Sequence, residues 1–195
     1  MRTGTVMAVT GDVGAGKSTV SRLFEALGGF LIDADRVVAE LWRRPEVIGA
    51  ALERWGRGIL DEDGRVVHAS VAGIIFPNRV EYEWAMALLH PLVRKEIARR
   101  LELPRAEDWA IVEIPLLFEG GVPPWVTVRV FVTAPLALRV ERCRVRGWDG
   151  AELAKRESFF MESERRMALS DFVVRNDGSP EDLKLAVKGV YDECS

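Results

Sequence analysis

The 195 residues are 48% hydrophobic with a formal net charge of −3, enough apolar material for one sizeable core and a small subdomain. That acidic balance argues against a basic nucleic-acid-binding surface and requires any cationic patch to be concentrated. Two separate cysteines, Cys143 and Cys194, give neither a disulfide framework nor metal-ligand spacing, and no apolar run approaches the ~20 residues that span a bilayer.

The first predicted element is a strand over "TVMAVT"; this run and the four strand runs that follow it are near-continuously apolar, and each is expected to be buried on both faces of a covered parallel sheet. Nothing resembling a leader segment precedes it, and a cytoplasmic location is expected. Directly after it, Gly11, Gly16, Lys17 and Ser18 satisfy G-x-x-x-x-G-K-[ST], followed by the helix-compatible "STVSRLFEAL". Glycines let the backbone take positive φ, so that the N–H groups of Gly14, Ala15, Gly16, Lys17, Ser18 and Thr19 can turn toward phosphate oxygens at a helix N-terminus. Lys17 then reaches the β- and γ-phosphates, and the Ser18 hydroxyl is a ligand for Mg²⁺. ATP and Mg²⁺ are the expected cofactors.

The second strand, "GFLID", ends at two acids, Asp33 and Asp35. A kinase needs a carboxylate there to orient and deprotonate an acceptor hydroxyl. Either acid could instead cap the helix "RVVAEL", and spacing alone does not choose between them. From about Ala34 to Arg105 the chain far exceeds the ~10–12 residues of a minimal crossover. Its segments "VVAELWRRPEVIGAALERWG" and "VEYEWAMALLHPLVRKEIARRLEL" have helical periodicity, so a helical insertion is predicted, with Pro91 starting or kinking a helix after His90. The tryptophans of this region are read as packing residues, and His90 as a structural histidine or a substrate contact.

Glu113 interrupts the third strand run, "WAIVEI", where a carboxylate is costly unless it meets a cation, a hydroxyl or a metal's water shell. The fourth run, "VRVFVT", leads through Pro135 into a helix on which Arg139, Arg142 and Arg146 fall at i, i+3 and i+7. One face could thus offer guanidiniums to a triphosphate. A charge-rich, lid-like segment around "GWDGAE" follows. The fifth run, "DFVVRN", completes a parallel α/β sheet whose site lies past the strands' carboxyl ends. "DEDG" formally supplies a GTPase D-x-x-G, but no N-K-x-D is present, which leaves a guanine-nucleotide switch without its base-reading motif.

Together "TGDVGAGKST", "IDADRVVAEL", "ILDEDGRV", "IFPN", "LLHPLVRKEI", "EIPLLFE", "VFVTAPLALRVERCRVR" and "MALSDFVVRNDG" resemble the dephospho-CoA kinase family over nearly the whole chain. The resemblance implies a P-loop kinase three-layer sandwich with a five-stranded parallel sheet, a helical substrate-binding insertion and a lid. Residues 1–36, 105–140 and 167–195 would form the nucleotide-binding core, 37–104 the CoA-binding insertion and 141–166 the lid. It also implies ATP- and Mg²⁺-dependent phosphorylation of the ribose 3′-hydroxyl of dephospho-CoA, the last step of coenzyme A synthesis. The expected partners are those two small molecules, with no nucleic acid and no membrane, and the expected state is a monomer or weak homo-oligomer. On this resemblance Asp35 is the catalytic base and Lys17 the phosphate-binding lysine, with Asp33 a supporting acid. Arg142 and Arg146 lie lid-side near ATP, His90 and Glu113 on the substrate side, and Asn176 near the adenine. Two positions depart from the family pattern: Asp12 stands where a second glycine is usual, and Phe160 where a glutamine is common. A nucleoside or nucleoside-monophosphate kinase is the alternative, separated by the long insertion and the "HPL" and "IPLLFE" stretches.

Overall fold

The computed structural model describes residues 4–103, 109–145 and 147–194. All five predicted strands form: β1 (Val6–Gly11), β2 (Phe30–Asp33), β3 (Ala110–Glu113), β4 (Val128–Thr133) and β5 (Phe172–Arg175). They pair in parallel in the order β2-β3-β1-β4-β5. Every residue of β1 and β3 is buried, which is why those runs are mostly apolar, while β4, the third inner strand, buries Val130, Phe131 and Val132. The edge strands differ from the expectation of two buried faces, since β2 and β5 each bury a single residue, Ile32 and Val174. An edge strand has only one neighbour, so its outer flank is open to water.

Alternation along β1 divides the core between the two sheet faces. Met7 and Val9 pack with Ile111, Val130, Val132 and Val174 against α1 (Lys17–Ala26) and α9 (Pro180–Cys194), through Val20, Phe24, Leu183 and Val187. Ala8, between them in sequence, faces the other way onto Leu117 and Phe118. After β4 come α6 (Leu136–Arg144), α7 (Gly150–Glu157) and α8 (Ser163–Ala168). Asp149 begins α7 as its N-cap, accepting the Glu152 N–H at 2.8 Å. Val13, Cys143 and Leu153 form a small buried cluster that joins α6 and α7 to the turn after β1.

The chain divides into two compact units: the described residues up to Asp33 and from Leu101 onward, and a second unit over Ala34–Arg100. The second contains α2 (Ala34–Leu41), α3 (Pro45–Trp55), α4 (His68–Ile75) and most of α5 (Arg79–Glu102). Pro91 lies inside α5 and does not start a helix. It is exposed there. Trp55 packs edge-on against Trp84 at 4.9 Å and tilts against Trp42 at 6.3 Å, an aromatic seam within this unit. Its one buried carboxylate among the described residues, Glu96, is met by Arg44 at 3.0 Å, Arg99 at 2.8 Å and Arg100 at 3.1 Å. Arg100 also pairs with Glu40.

Candidate active site

Parallel register aligns the carboxyl ends of the strands. Asp33 stands beside Glu113, Gly11 beside Val132, and Thr133 beside Arg175. The loop leaving β1 is therefore flanked on both sides by strand ends of the same edge, the place where open α/β sheets bind ligands.

Two glycines of the loop are required by space as well as by dihedral angle. Gly11 has φ of 144°, and a Cβ there would lie 2.0 Å from the Val132 carbonyl oxygen. Gly16 has φ of 96°, and its Cβ would meet the Asn176 amide nitrogen at 2.3 Å. Gly16 is also the N-cap of α1, whose first turn holds no acidic side chain. The positive end of that helix dipole is thus not neutralised by its own sequence. Within the loop, Asp12 N–H donates to the Val132 carbonyl at 3.1 Å and Ala15 N–H to the Asp12 carbonyl at 3.2 Å. Lys17 Nζ donates to the carbonyls of Gly11 (3.2 Å) and Asp12 (2.9 Å).

Ser18, the first hydroxyl of α1, donates to Glu113 Oε1 at 2.9 Å. Of the three partners the sequence left open for Glu113, the hydroxyl is realised. Burial pushes the Glu113 carboxyl above the usual carboxylate range and Asp33 adds to the shift, while the Ser18 hydroxyl and the Lys17 charge oppose it. Asp33 itself is exposed at the end of β2. Ser18 and Glu113 are hard oxygen donors, a set suited to Mg²⁺, which takes one or two carboxylates together with phosphate oxygens.

Arg142 on α6 donates to the carbonyls of Asn176 (3.0 Å) and Ala15 (3.4 Å). Asn176 is buried and its side-chain amide donates to the same Ala15 carbonyl at 2.8 Å. Both residues thereby brace the middle of the loop. Past the ends of β4 and β5 a cavity of about 220 Å³ is lined by Thr133, Ala134, Pro135, Arg175 and Asp177, none of which the sequence reading assigned to the site. Arg139 has a different use from that expected. Its guanidinium donates to Glu157 (2.6 Å) and to the carbonyls of Ala134 and Val13. Arg146 lies outside the described residues. Asp35, exposed in the first turn of α2, and His90, half-buried on α5, belong to the second unit.

One cluster was only partly legible in the sequence, which did not name Arg166. Asp12 accepts from Arg166 of α8 at 2.9 Å, with both side chains buried, and from the Thr133 hydroxyl at 2.7 Å. The rings of Phe131 and Phe160 stand 5.1 and 5.3 Å from the same guanidinium. The two departures from the family pattern, Asp12 and Phe160, therefore meet at one arginine. The available signal was Asp12 itself, an acid inside a buried loop that demands a cation.

The family model for dephospho-CoA kinase matches residues 5–182. A dephospho-CoA kinase from Aquifex aeolicus is 30% identical over 190 residues, covering 97% of each chain. Among solved structures, the protein TT1252 from Thermus thermophilus aligns with a TM-score of 0.80 at 32% identity over 98% of both chains. A dephospho-CoA kinase from Campylobacter jejuni shares the fold with a TM-score of 0.70 at 21% identity, covering 97% of this chain and 96% of that one.

Proposed function

The chain belongs to the dephospho-CoA kinase family, and we propose that it transfers the terminal phosphoryl group of ATP to the ribose 3′-hydroxyl of dephospho-CoA, yielding coenzyme A and ADP. The observation that supports phosphoryl transfer is the loop at the sheet's carboxyl edge, where a left-handed Gly16 opens α1 and Ser18 is bonded to Glu113; the acceptor is supported by the family match.

Phosphoryl transfer needs positioning and charge stabilisation more than covalent help from the protein. The N–H groups from Gly14 to Thr19 and the dipole of α1 receive the triphosphate. Lys17 exchanges the Gly11 and Asp12 carbonyls, its present partners, for phosphate oxygens. Arg142, braced against the middle of the loop, adds positive charge beside the transferred group. The cavity bordered by Arg175 and Asp177 takes the base, with Asn176 supporting the loop next to it. Ser18 and Glu113 would hold Mg²⁺, and the ion would supply neutralisation of phosphate charge. This moves Glu113 from the substrate side, where the sequence reading put it, to the metal side.

Asp35 is the proposed base, with Asp33 supporting it and His90 on the acceptor side. The 3′-oxygen forms a bond to the γ-phosphorus as the bond to the ADP oxygen breaks, and the hydroxyl proton passes to the Asp35 carboxylate. The helical second unit is assigned to dephospho-CoA binding and the segment 141–166 to the lid, whose closure would exclude water as a competing acceptor. The reaction is placed in the cytoplasm, carried out by a monomer or weak homo-oligomer on two small molecules. No helix among the described residues is long and apolar enough to cross a membrane.

Asp35→Asn tests the base assignment. Turnover should fall about 10²–10⁴-fold with ATP binding retained, and Asp33→Asn should cost less. Near-normal turnover in Asp35→Asn would remove it from that role.

A further inference from the structure

We propose that Asp12 and Arg166 form a positioning pair for phosphoryl transfer, in which Arg166 cancels the charge that Asp12 brings into the phosphate loop and ties that loop to α8. The proposal rests on the reading of Gly14–Thr19 as the triphosphate site. Asp12 is 3% exposed and Arg166 2%, and desolvation makes either ion prohibitive there without the other. Both oxygens of the carboxylate are held, Oδ1 by Arg166 Nη2 at 2.9 Å and Oδ2 by the Thr133 hydroxyl at 2.7 Å.

The same guanidinium reaches the main chain. Arg166 Nη1 donates to the Gly11 carbonyl at 3.3 Å, an oxygen that also accepts from Lys17 Nζ at 3.2 Å. Lys17's other carbonyl partner is Asp12. When the ammonium turns to phosphate, Arg166 is the side-chain donor left on the Gly11 carbonyl, and the loop keeps its shape. The guanidinium is fixed for that task by Phe131 and Phe160, and its Nε is buried with no hydrogen-bond partner among the described residues.

A parallel tie acts on the next residue. Glu157, the last residue of α7, accepts the Val13 N–H at 3.2 Å and Arg139 at 2.6 Å. Two consecutive loop residues are therefore held from the helices that follow α6. A triphosphate arriving at this loop meets a neutral Asp12–Arg166 pair. Without Arg166 it would meet a buried carboxylate in a medium that screens charge poorly.

The test measures ADP release, with KM for ATP and for dephospho-CoA determined separately, in Arg166→Met, Asp12→Asn and the double variant. Arg166→Met should raise KM for ATP about tenfold or more, leaving KM for dephospho-CoA within about twofold. Adding Asp12→Asn should recover most of that loss, because the double variant carries no orphaned charge. Equal effects on both substrates, or no recovery in the double variant, would overturn the proposal. Should Arg166→Met not fold, Arg166→Lys carries the test: KM for ATP should stay within about threefold with the charge retained, and a tenfold rise overturns it. Lys17→Met separates this pair from the reading beneath it. Loss of ATP binding in Lys17→Met with none in Arg166→Met overturns the pair alone, whereas unchanged binding in both overturns the triphosphate site as well.

Discussion

Glu113→Gln is expected to stabilise the metal-free protein while abolishing phosphoryl transfer. Glu113 is 8% exposed and its carboxyl is pushed above the usual carboxylate range, chiefly by burial. A carboxyl raised on folding takes up its proton more readily in the native state, so the ionised form costs stability at every pH above its folded value. Below about pH 4 both states are protonated and the cost vanishes. Glutamine keeps an acceptor for the Ser18 hydroxyl, now at 2.9 Å, and removes the charge. Relief of a strained active-site group is commonly worth about 0.5–2 kcal/mol, and for a chain of this size each kcal/mol moves Tm by about 2–4 °C. Thermal unfolding in a chelator should therefore show Glu113→Gln melting a few degrees higher at pH 7.5, with the gap closing toward pH 4. In the same variant kcat should drop at least about 100-fold, because a neutral amide is a poor Mg²⁺ ligand. A lower Tm at pH 7.5, a gap independent of pH, or near-normal turnover would each refute the assignment of Glu113 as a desolvated metal ligand.

Gly16→Ala combines a left-handed φ with a contact of 2.3 Å to Asn176. It should cost about 1–3 kcal/mol of stability and raise KM for ATP about 100-fold or more, read by thermal unfolding and ADP release. Glu96 bears on the other unit: hydrogen bonding to Arg99, with further help from Arg100 and Arg44 and against the penalty of burial, lowers its pKa to about 2. A carboxylate depressed on folding stabilises above its unfolded value and loses that contribution as pH falls from about 5 to 2. Discounted for solvent screening of the partly exposed arginines, Glu96→Gln should lose about 1–2 kcal/mol at pH 7 and little near pH 2, as measured by chemical denaturation across that range.

What could be read in advance was local. The phosphate loop lies within eight residues of sequence, and the five strands are short β-branched runs, so pattern alone located both. Interactions spanning the chain were not accessible in the same way. Nothing near Asp12 names Arg166, 154 residues on, and nothing near Arg139, one of three arginines on a helix face, names its partner Glu157. Glu113 was legible as an anomaly, an acid in a strand, but its partner Ser18 required the register that packs α1 against β3. Of the two readings for Pro91, a helix start is excluded: the residue lies within a 24-residue helix, which forgoes the one hydrogen bond that proline cannot donate. The edge strands misled because composition reports apolarity and not the number of neighbours.

The acceptor is the central claim, and a coupled ADP-release assay across dephospho-CoA, adenosine, AMP and shikimate, with ATP and Mg²⁺ in excess, tests it most directly. Rapid turnover is expected with dephospho-CoA alone, its product carrying one new phosphate on the ribose 3′-oxygen. Turnover with any of the other three and none with dephospho-CoA would contradict it.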